Sequence, residues 1–354
     1  MLSHVPLMIL LTGGAQAAIE LCLPTANHHL FSGEPERFFM YVDRTFEGQT
    51  SKPWEAGTYG FVRNAMRIGD KVVFTKFHEG IDIAPVNRDS AGNPLDPVSS
   101  IAEGRVVHTS VIAGHSTYGK YVVVEHPWEN SLVYSLYAHL AEITCKPGDP
   151  LKAGEVLGRM GYTGAGLNRT RAHLHLEITL LLSRHFEEWH KTGAAGMNHH
   201  GIFNGINLAG FDGARFFTAH QTNPDLSISA FIASIPVHFK VAVPSRGTPD
   251  FVTRYPWMCR GNAEGAVSWI ISFSATGLPV AFAPDQRRVD APVVTSILPS
   301  TIPQRYLTRN LVTGQDNHAT LTPSGKQLVA LITDDFPITQ ITTQPNSGTL
   351  TSKH

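Results

Sequence analysis

The stretch Ala172-His173-Leu174-His175-Leu176-Glu177-Ile178 decides how this chain reads. In an extended strand the side-chain period of two sends His173, His175 and Glu177 to one face and Leu174, Leu176 and Ile178 to the other. That is a half-buried strand carrying imidazoles where a solvated strand carries Thr, Lys or Ser. A second stretch, Phe77-His78-Glu79-Gly80-Ile81-Asp82-Ile83, repeats the pattern. There His78, Gly80 and Asp82 share one side, and Phe77, Ile81 and Ile83 the other. Neither a lone His-x-His nor a lone His-x-x-x-Asp is specific, because a strand histidine is more often simply hydrogen-bonded. Together, with their faces agreeing and roughly ninety residues between them, about the length of a small β-domain, they offer His, Asp and His to one metal. Zinc takes imidazole nitrogen and carboxylate oxygen, and its catalytic sites use three protein ligands and leave the fourth position to water. The residues alone therefore nominate His78, Asp82 and one histidine of the His173/His175 pair.

With their neighbours these segments resemble the lysostaphin/LytM-type zinc metallopeptidases, a family of peptidoglycan endopeptidases. The family's His-x-x-x-Asp motif reads here as His78-Glu79-Gly80-Ile81-Asp82-Ile83-Ala84-Pro85. Its Tyr-Ala-His-Leu segment reads as Ser135-Leu136-Tyr137-Ala138-His139-Leu140, and its terminal His-x-His strand starts at His173. Ile101-Ala102-Glu103-Gly104-Arg105-Val106-Val107 resembles an intervening strand, and Tyr118-Gly119-Lys120-Tyr121-Val122-Val123-Val124-Glu125-His126 the next. Lys146-Pro147-Gly148-Asp149-Pro150-Leu151-Lys152-Ala153-Gly154-Glu155-Val156-Leu157-Gly158 resembles the glycine-punctuated hairpin that follows. The likeness runs over residues 77–178, under a third of the chain.

The resemblance implies one zinc ion held by His78, Asp82 and His175, with His139 and His173 as catalytic histidines beside the activated water. Zinc lowers the pKa of a bound water to about 7, and an imidazole titrates in the same range. On this reading His173 is the base toward the water and His139 the donor to the developing oxyanion or leaving amine. The implied activity is that of a secreted zinc metalloendopeptidase cutting peptide bonds of bacterial peptidoglycan, in cross-links or stem peptides. The alternatives are a non-catalytic wall-binding or hydrolase-activating protein on the same fold, and a metallopeptidase acting on protein substrates. All five positions are filled, which favours an enzyme. Where the family often has a Ser-Thr-Gly-Pro-like turn, this chain has Gly166-Leu167-Asn168-Arg169-Thr170-Arg171-Ala172. Arg169 and Arg171 there suit a substrate carboxylate or form a solvated basic loop.

Composition fits a large hydrolase. The 354 residues are 42% hydrophobic, enough to bury one or two cores. The formal charge of −1 argues for neither nucleic acid nor electrostatic capture of an anionic wall polymer. Peptidoglycan peptides are the expected partner, with no nucleic acid and no integral membrane segment. Of 18 histidines most fall outside the constellation. The adjacent pairs His28-His29 and His199-His200 would point to opposite faces of a strand and make poor chelators. Three cysteines, Cys22, Cys145 and Cys259, are too few for a disulfide scaffold. Cys145 reads as a buried thiol, and a Cys22–Cys259 bridge stays open.

Residues 1–17 read as a signal peptide, with Leu7-Met8-Ile9-Leu10-Leu11 as the apolar region and Ala15-Gln16-Ala17 as the cleavage site, although no Lys or Arg precedes them. Export to a periplasmic or extracellular location is expected; the rival reading is a misplaced start codon before a cytoplasmic enzyme. Residues 18–70 form an N-terminal segment packing on the catalytic domain, with a strand over 38–42. Residues 71–180 form the zinc metallopeptidase domain, a mainly β, antiparallel, compact barrel-like or sandwich-like unit with strands near 71–75, 104–110, 121–126, 132–139 and 173–179. Residues 181–212 supply a connection, with a helix over 180–191 and an irregular run from 193. Residues 213–338 read as a C-terminal α+β domain with helices over 224–235 and Pro323–Thr333 and strands over 238–243 and 267–274. Its expected role is substrate binding, a lid or a scaffold. Residues 339–354 read as a flexible tail.

Overall fold

The computed structural model describes residues 18–193 and 196–338. The expected signal peptide and C-terminal tail lie outside the described residues.

An antiparallel hairpin, β1 (Gly60–Ile68) and β2 (Lys71–His78), leads into the short strand β3 (Ile81–Ile83). The central sheet follows, from β4 (Gly104–Ser110), β5 (Tyr121–Trp128), β6 (Ser131–Ala138), β7 (Pro150–Leu151), β8 (Leu174–Leu181) and β9 (Leu208–Phe211). Its order is β7-β4-β5-β6-β8-β9, every pairing antiparallel, with β3 also pairing β8. β3 takes the N-terminal half of β8 and β9 the C-terminal half, as His175 stands opposite Asp82 and Ile178 opposite Phe211. The β-branched run Tyr121-Val122-Val123-Val124 suits a strand buried on both faces, and those four residues are fully buried.

Leu174, Leu176, Ile178 and Leu180 enter the main apolar core. The opposite face of the sheet is also covered. Tyr121, Val123, Tyr134, Leu136 and Ala138 form a second cluster there, against Tyr118, Ile202 and Phe203. The strand expected to be half-buried is therefore buried along its whole length. Its imidazoles face a protein-lined cleft rather than open water.

Several local expectations change. Residues 38–42 are not a strand: a short helix, Pro35–Phe38, gives way to extended chain lying along the free edge of β3. There Met40 N donates to Asp82 O at 2.8 Å and Ala84 N to Phe38 O at 2.8 Å. Residues 71–75 belong to the β1/β2 hairpin and not to the central sheet. The helix expected over 180–191 is confined to Phe186–Lys191, because Leu180 and Leu181 continue β8 into the core. The irregular run from 193 contains β9, the sheet's edge. The helix expected over 224–235 spans Ile228–Ala233, its start fixed by Ser227, whose side chain accepts from Ala230 N.

Beyond β9 lies a second antiparallel sheet of β10 (Phe239–Pro244), β11 (Ser268–Phe273), β12 (Pro279–Asp285) and β13 (Val293–Ile297), ordered β12-β11-β10-β13. The helix Pro323–Thr333 follows it, capped by Thr322. One continuous apolar core includes Leu174 of the central sheet, Phe273 of the second and Ile332 of that helix. The Tyr255 hydroxyl accepts from Leu181 N at 3.0 Å and donates to Leu132 O at 3.0 Å. Cys22, Cys145 and Cys259 are free, half-buried thiols, so the Cys22–Cys259 bridge is not formed and Cys145 is less enclosed than expected. Among the described residues no helix is long and apolar enough to cross a membrane.

Candidate metal centre

Register assembles the site. His175 stands opposite both Asp82 and Ala138, so His139, one residue past Ala138, lies beside it. His173 enters β8 through a bridge to Gly161. His78 ends β2, and the turn through Gly80 returns the chain to Asp82. A Cβ at Gly80 would lie 2.4 Å from Leu176 O and 2.9 Å from His175 Cε1, so only glycine lets β3 approach β8 this closely.

Three donor atoms then form a nearly equilateral triangle. His78 Nε2 lies 3.1 Å from Asp82 Oδ1, His175 Nδ1 lies 3.0 Å from that oxygen, and the two nitrogens are 3.1 Å apart. Such a triangle has a circumradius of about 1.8 Å, so one ion can stand about 2.0–2.1 Å from all three atoms, the usual zinc distance to nitrogen and oxygen. Buried imidazoles with a buried carboxylate are a donor set that fits zinc. His173 Nε2 approaches the same Asp82 oxygen at 3.3 Å. The His139 ring lies 4.9 Å from that of His173 and 5.7 Å from that of His175, between centroids.

The outward atom of every group is already engaged. His78 Nδ1 lies 2.8 Å from Thr58 O, His139 Nδ1 2.9 Å from Thr163 O, and His173 Nδ1 2.7 Å from Arg171 O. A carbonyl can only accept, so each of these nitrogens carries the proton and each Nε2 keeps its lone pair for the cleft. His175 is turned the other way, with Nε2 2.9 Å from Glu177 Oε1 and Nδ1 inward. Arg63 donates to the outer carboxylate oxygen, Asp82 Oδ2, at 2.5 Å. Glu79, His175 and Glu177 also cluster, but through the nitrogen of His175 that Glu177 occupies.

Electrostatics follow from burial and these partners. Burial opposes ionisation of Asp82, yet His173 and His78 outweigh it and hold the carboxyl well below its usual range. Burial disfavours a charged His175, but its hydrogen bonds to Asp82 and Glu177 win and push it up to about 10. The pocket thus attracts a cation. His139 goes the other way: burial, then the nearby His173 and His175, hold it well below its usual value, so it is neutral near pH 7. Its backbone sits at φ +64°, in the left-handed region that a non-glycine residue occupies at a cost. Burial and then Glu177 keep Tyr118 protonated, and its hydroxyl donates to Glu177 Oε1 at 2.6 Å.

The five predicted site residues are thus brought together. They line a cleft of about 800 Å³ with Arg44, Arg63, Lys76 and Tyr118. Arg171 borders it, tied through Nε to Tyr41 O at 3.2 Å, whereas Arg169 lies outside the lining and gives its carbonyl to Arg88. The sequence reading missed Arg63, Thr58 and Thr163. Two of these act through backbone carbonyls and leave no mark in a sequence.

A convergent His/Asp set on an antiparallel sheet, open on one side to a cleft, is an arrangement that could hold a metal ion and leave it a free position. Residues 76–185 match Peptidase family M23, and the chain carries a domain of that family. The peptidoglycan DD-endopeptidase ShyB of Vibrio cholerae is 34% identical over 97 residues, 27% of this chain and 21% of that protein. The lipoprotein NlpD/LppB homolog of Pseudomonas aeruginosa is 32% identical over 101 residues, 28% of this chain and 29% of that protein. The chain therefore spans less than a third of the length of these curated relatives. Among solved structures, the catalytic domain of the antimicrobial peptidase lysostaphin from Staphylococcus simulans aligns at 20% identity over 46% of this chain and 89% of that chain, with a TM-score of 0.29.

Proposed function

We propose that the protein is an exported zinc endopeptidase that hydrolyses peptide bonds of bacterial peptidoglycan. The observation that carries this reading is the convergence of the inner atoms of His78, Asp82 and His175 on one point, each with its outer atom held, beside the rings of His139 and His173. Peptidoglycan as substrate is supported by the relative named as its DD-endopeptidase. In this assignment His78 Nε2, Asp82 Oδ1 and His175 Nδ1 hold the zinc. The ion would supply Lewis acidity toward a scissile carbonyl and a water acidified to near neutrality.

The protein's own residues do the rest. His173, its Nδ1 held by the Arg171 carbonyl and its Nε2 facing the Asp82 oxygen, accepts the proton of the attacking water. Neutral His139, with its proton on Nδ1, has a bare Nε2 that first takes up a proton released from the water and then hands that proton to the leaving amine. Arg63 fixes Asp82 to a single inward oxygen, and Glu177 fixes the tautomer of His175. Residues 71–180 form the catalytic unit, and residues 213–338 bury the end of its sheet through Tyr255 and Arg254. A regulator built on this fold has no need of a complete donor set, and this set is complete.

Digestion of purified sacculi tests the reading. Wild type is expected to release muropeptides cut within their peptides, to stop with chelator and to resume with zinc. His139→Ala should keep its zinc and lose about 10²–10⁴-fold in turnover, the usual weight of an acid–base group. Loss of zinc by His139→Ala would overturn the division of roles, and intact sacculi at every pH and metal tried would overturn the activity.

A further inference from the structure

A second group of histidines lies outside the cleft, where β4, the turn at His115 and the connection at His199 and His200 meet. As expected for neighbours, His199 and His200 diverge, with ring centroids 6.3 Å apart. Each instead meets a distant imidazole. His199 stacks on His115, centroids 4.0 Å and planes 13° apart. His200 presents Nδ1 to His108 Nε2 at 3.4 Å.

That contact is long for an N–H donor, whose distances centre near 2.9–3.0 Å. It matches two imidazole nitrogens sharing a tetrahedral ion: at about 2.0–2.1 Å from the metal, ligand atoms stand about 3.3–3.4 Å apart. The His78/His175 pair has the same signature, with facing nitrogens at 3.1 Å and centroids at 5.1 Å, against 5.5 Å for His108/His200. His200 Nε2 lies 3.4 Å from His115 O, the same long distance, so this carbonyl stands beside the ring without fixing which nitrogen carries the proton. Tyr121 and Phe203 wall the pair, their centroids 5.2 and 5.9 Å from that of His108. Burial, and then His200, push His108 down to about 4, and burial lowers His200, so neither ring carries a competing proton near neutrality.

We propose that His108 and His200 form a second metal site, with these two imidazoles as its protein ligands, for a divalent late transition ion that favours imidazole, such as zinc. An ion there would pin the chain leading into β9 to the far strand β4, along one wall of a cavity of about 1320 Å³ that His115 and His200 also line.

Zinc alone is the probe. The metal-stripped full chain is expected to bind two zinc ions, and His108→Ala and His200→Ala one each while still digesting sacculi, which shows that they fold. The double variant His78→Ala/His175→Ala should retain the ion at His108 and His200. Anomalous scattering at the zinc edge, from crystals of wild type grown with zinc, should place a peak between His108 Nε2 and His200 Nδ1, a readout that needs no variant. A wild type that binds a single ion at His78, Asp82 and His175, variants that still bind two, or an anomalous map without that second peak would overturn the site.

Discussion

The two histidine clusters differ in how their imidazoles are held and in what surrounds them. In the cleft, a carbonyl or carboxylate takes the outer nitrogen of each imidazole at hydrogen-bond distance, whereas the carbonyl beside His200 stands off at 3.4 Å. In the cleft, Asp82 stands at the centre, touched by His78, His173 and His175 through a single oxygen. At His108 and His200 the walls are aromatic instead. A buried carboxylate holds a cation strongly, and it also favours a proton on its neighbours, as His175 shows. Imidazoles among aromatic rings are proton-free but offer a cation no countercharge. The difference teaches that, on the proposed reading, a countercharge suits the first cluster to tight binding, and its lack would leave the second with weaker coordination.

The strongest way to break this comparison is to remove a ligand from the first cluster. His175→Ala is expected to lose zinc and activity together, by 10³-fold or more at about the scale of a missing catalytic ligand, as read by metal content and muropeptide release. Activity retained at wild-type level would end the assignment.

A smaller effect isolates the outer partners. Glu177→Gln keeps the shape but exchanges an accepting carboxylate for an amide, which should weaken zinc binding about 10–100-fold, as losing such a partner commonly does. Competition with a chelator measures it. An unchanged affinity would mean that Glu177 is only a packing residue.

The smallest effect concerns a histidine with both nitrogens occupied. His126 Nδ1 lies 2.8 Å from Glu103 O and Nε2 2.7 Å from Ser135 Oγ, and burial pushes its pKa down to about 4. Between pH 4 and about 6.5 the unfolded chain binds a proton there that the folded chain refuses, so stability falls as pH falls through that window. The loss is at most about 3 kcal/mol. The melting temperature of wild type should therefore drop more steeply from pH 7 to pH 5 than that of His126→Gln. Parallel curves would remove His126 from the acid sensitivity.

The candidate site is legible because strand period is rigid, so that His173 and His175, two residues apart, share a face; His78 and Asp82 instead meet through the turn at Gly80, which joins β2 to β3. What surrounds them is not. Thr58, Thr163 and Arg171 act through carbonyls, which every residue owns. Arg63 sits where the β1/β2 register shifts, a bulge that residue pattern does not announce. His108 and His200 are separated by 92 residues, and His200 lies in a connection without period. Leu180 and Leu181 read as a helix start because an apolar run that short fits either element until its neighbours are known. Residues 38–42 show the converse, a strand-like composition laid along β3 without becoming a strand.

The edge strand β9 carries a practical consequence for anyone trimming this protein. The segment shared with the peptidase family stops at residue 185, yet backbone from Ile178 to Leu181 is zipped to Phe211 through Leu208, and Leu181 is further clasped by Tyr255. A fragment ending at 185 would leave that seam open, with bare amides and leucines ready to recruit a second molecule. The shortest fragment that stays soluble should therefore extend well past the family segment.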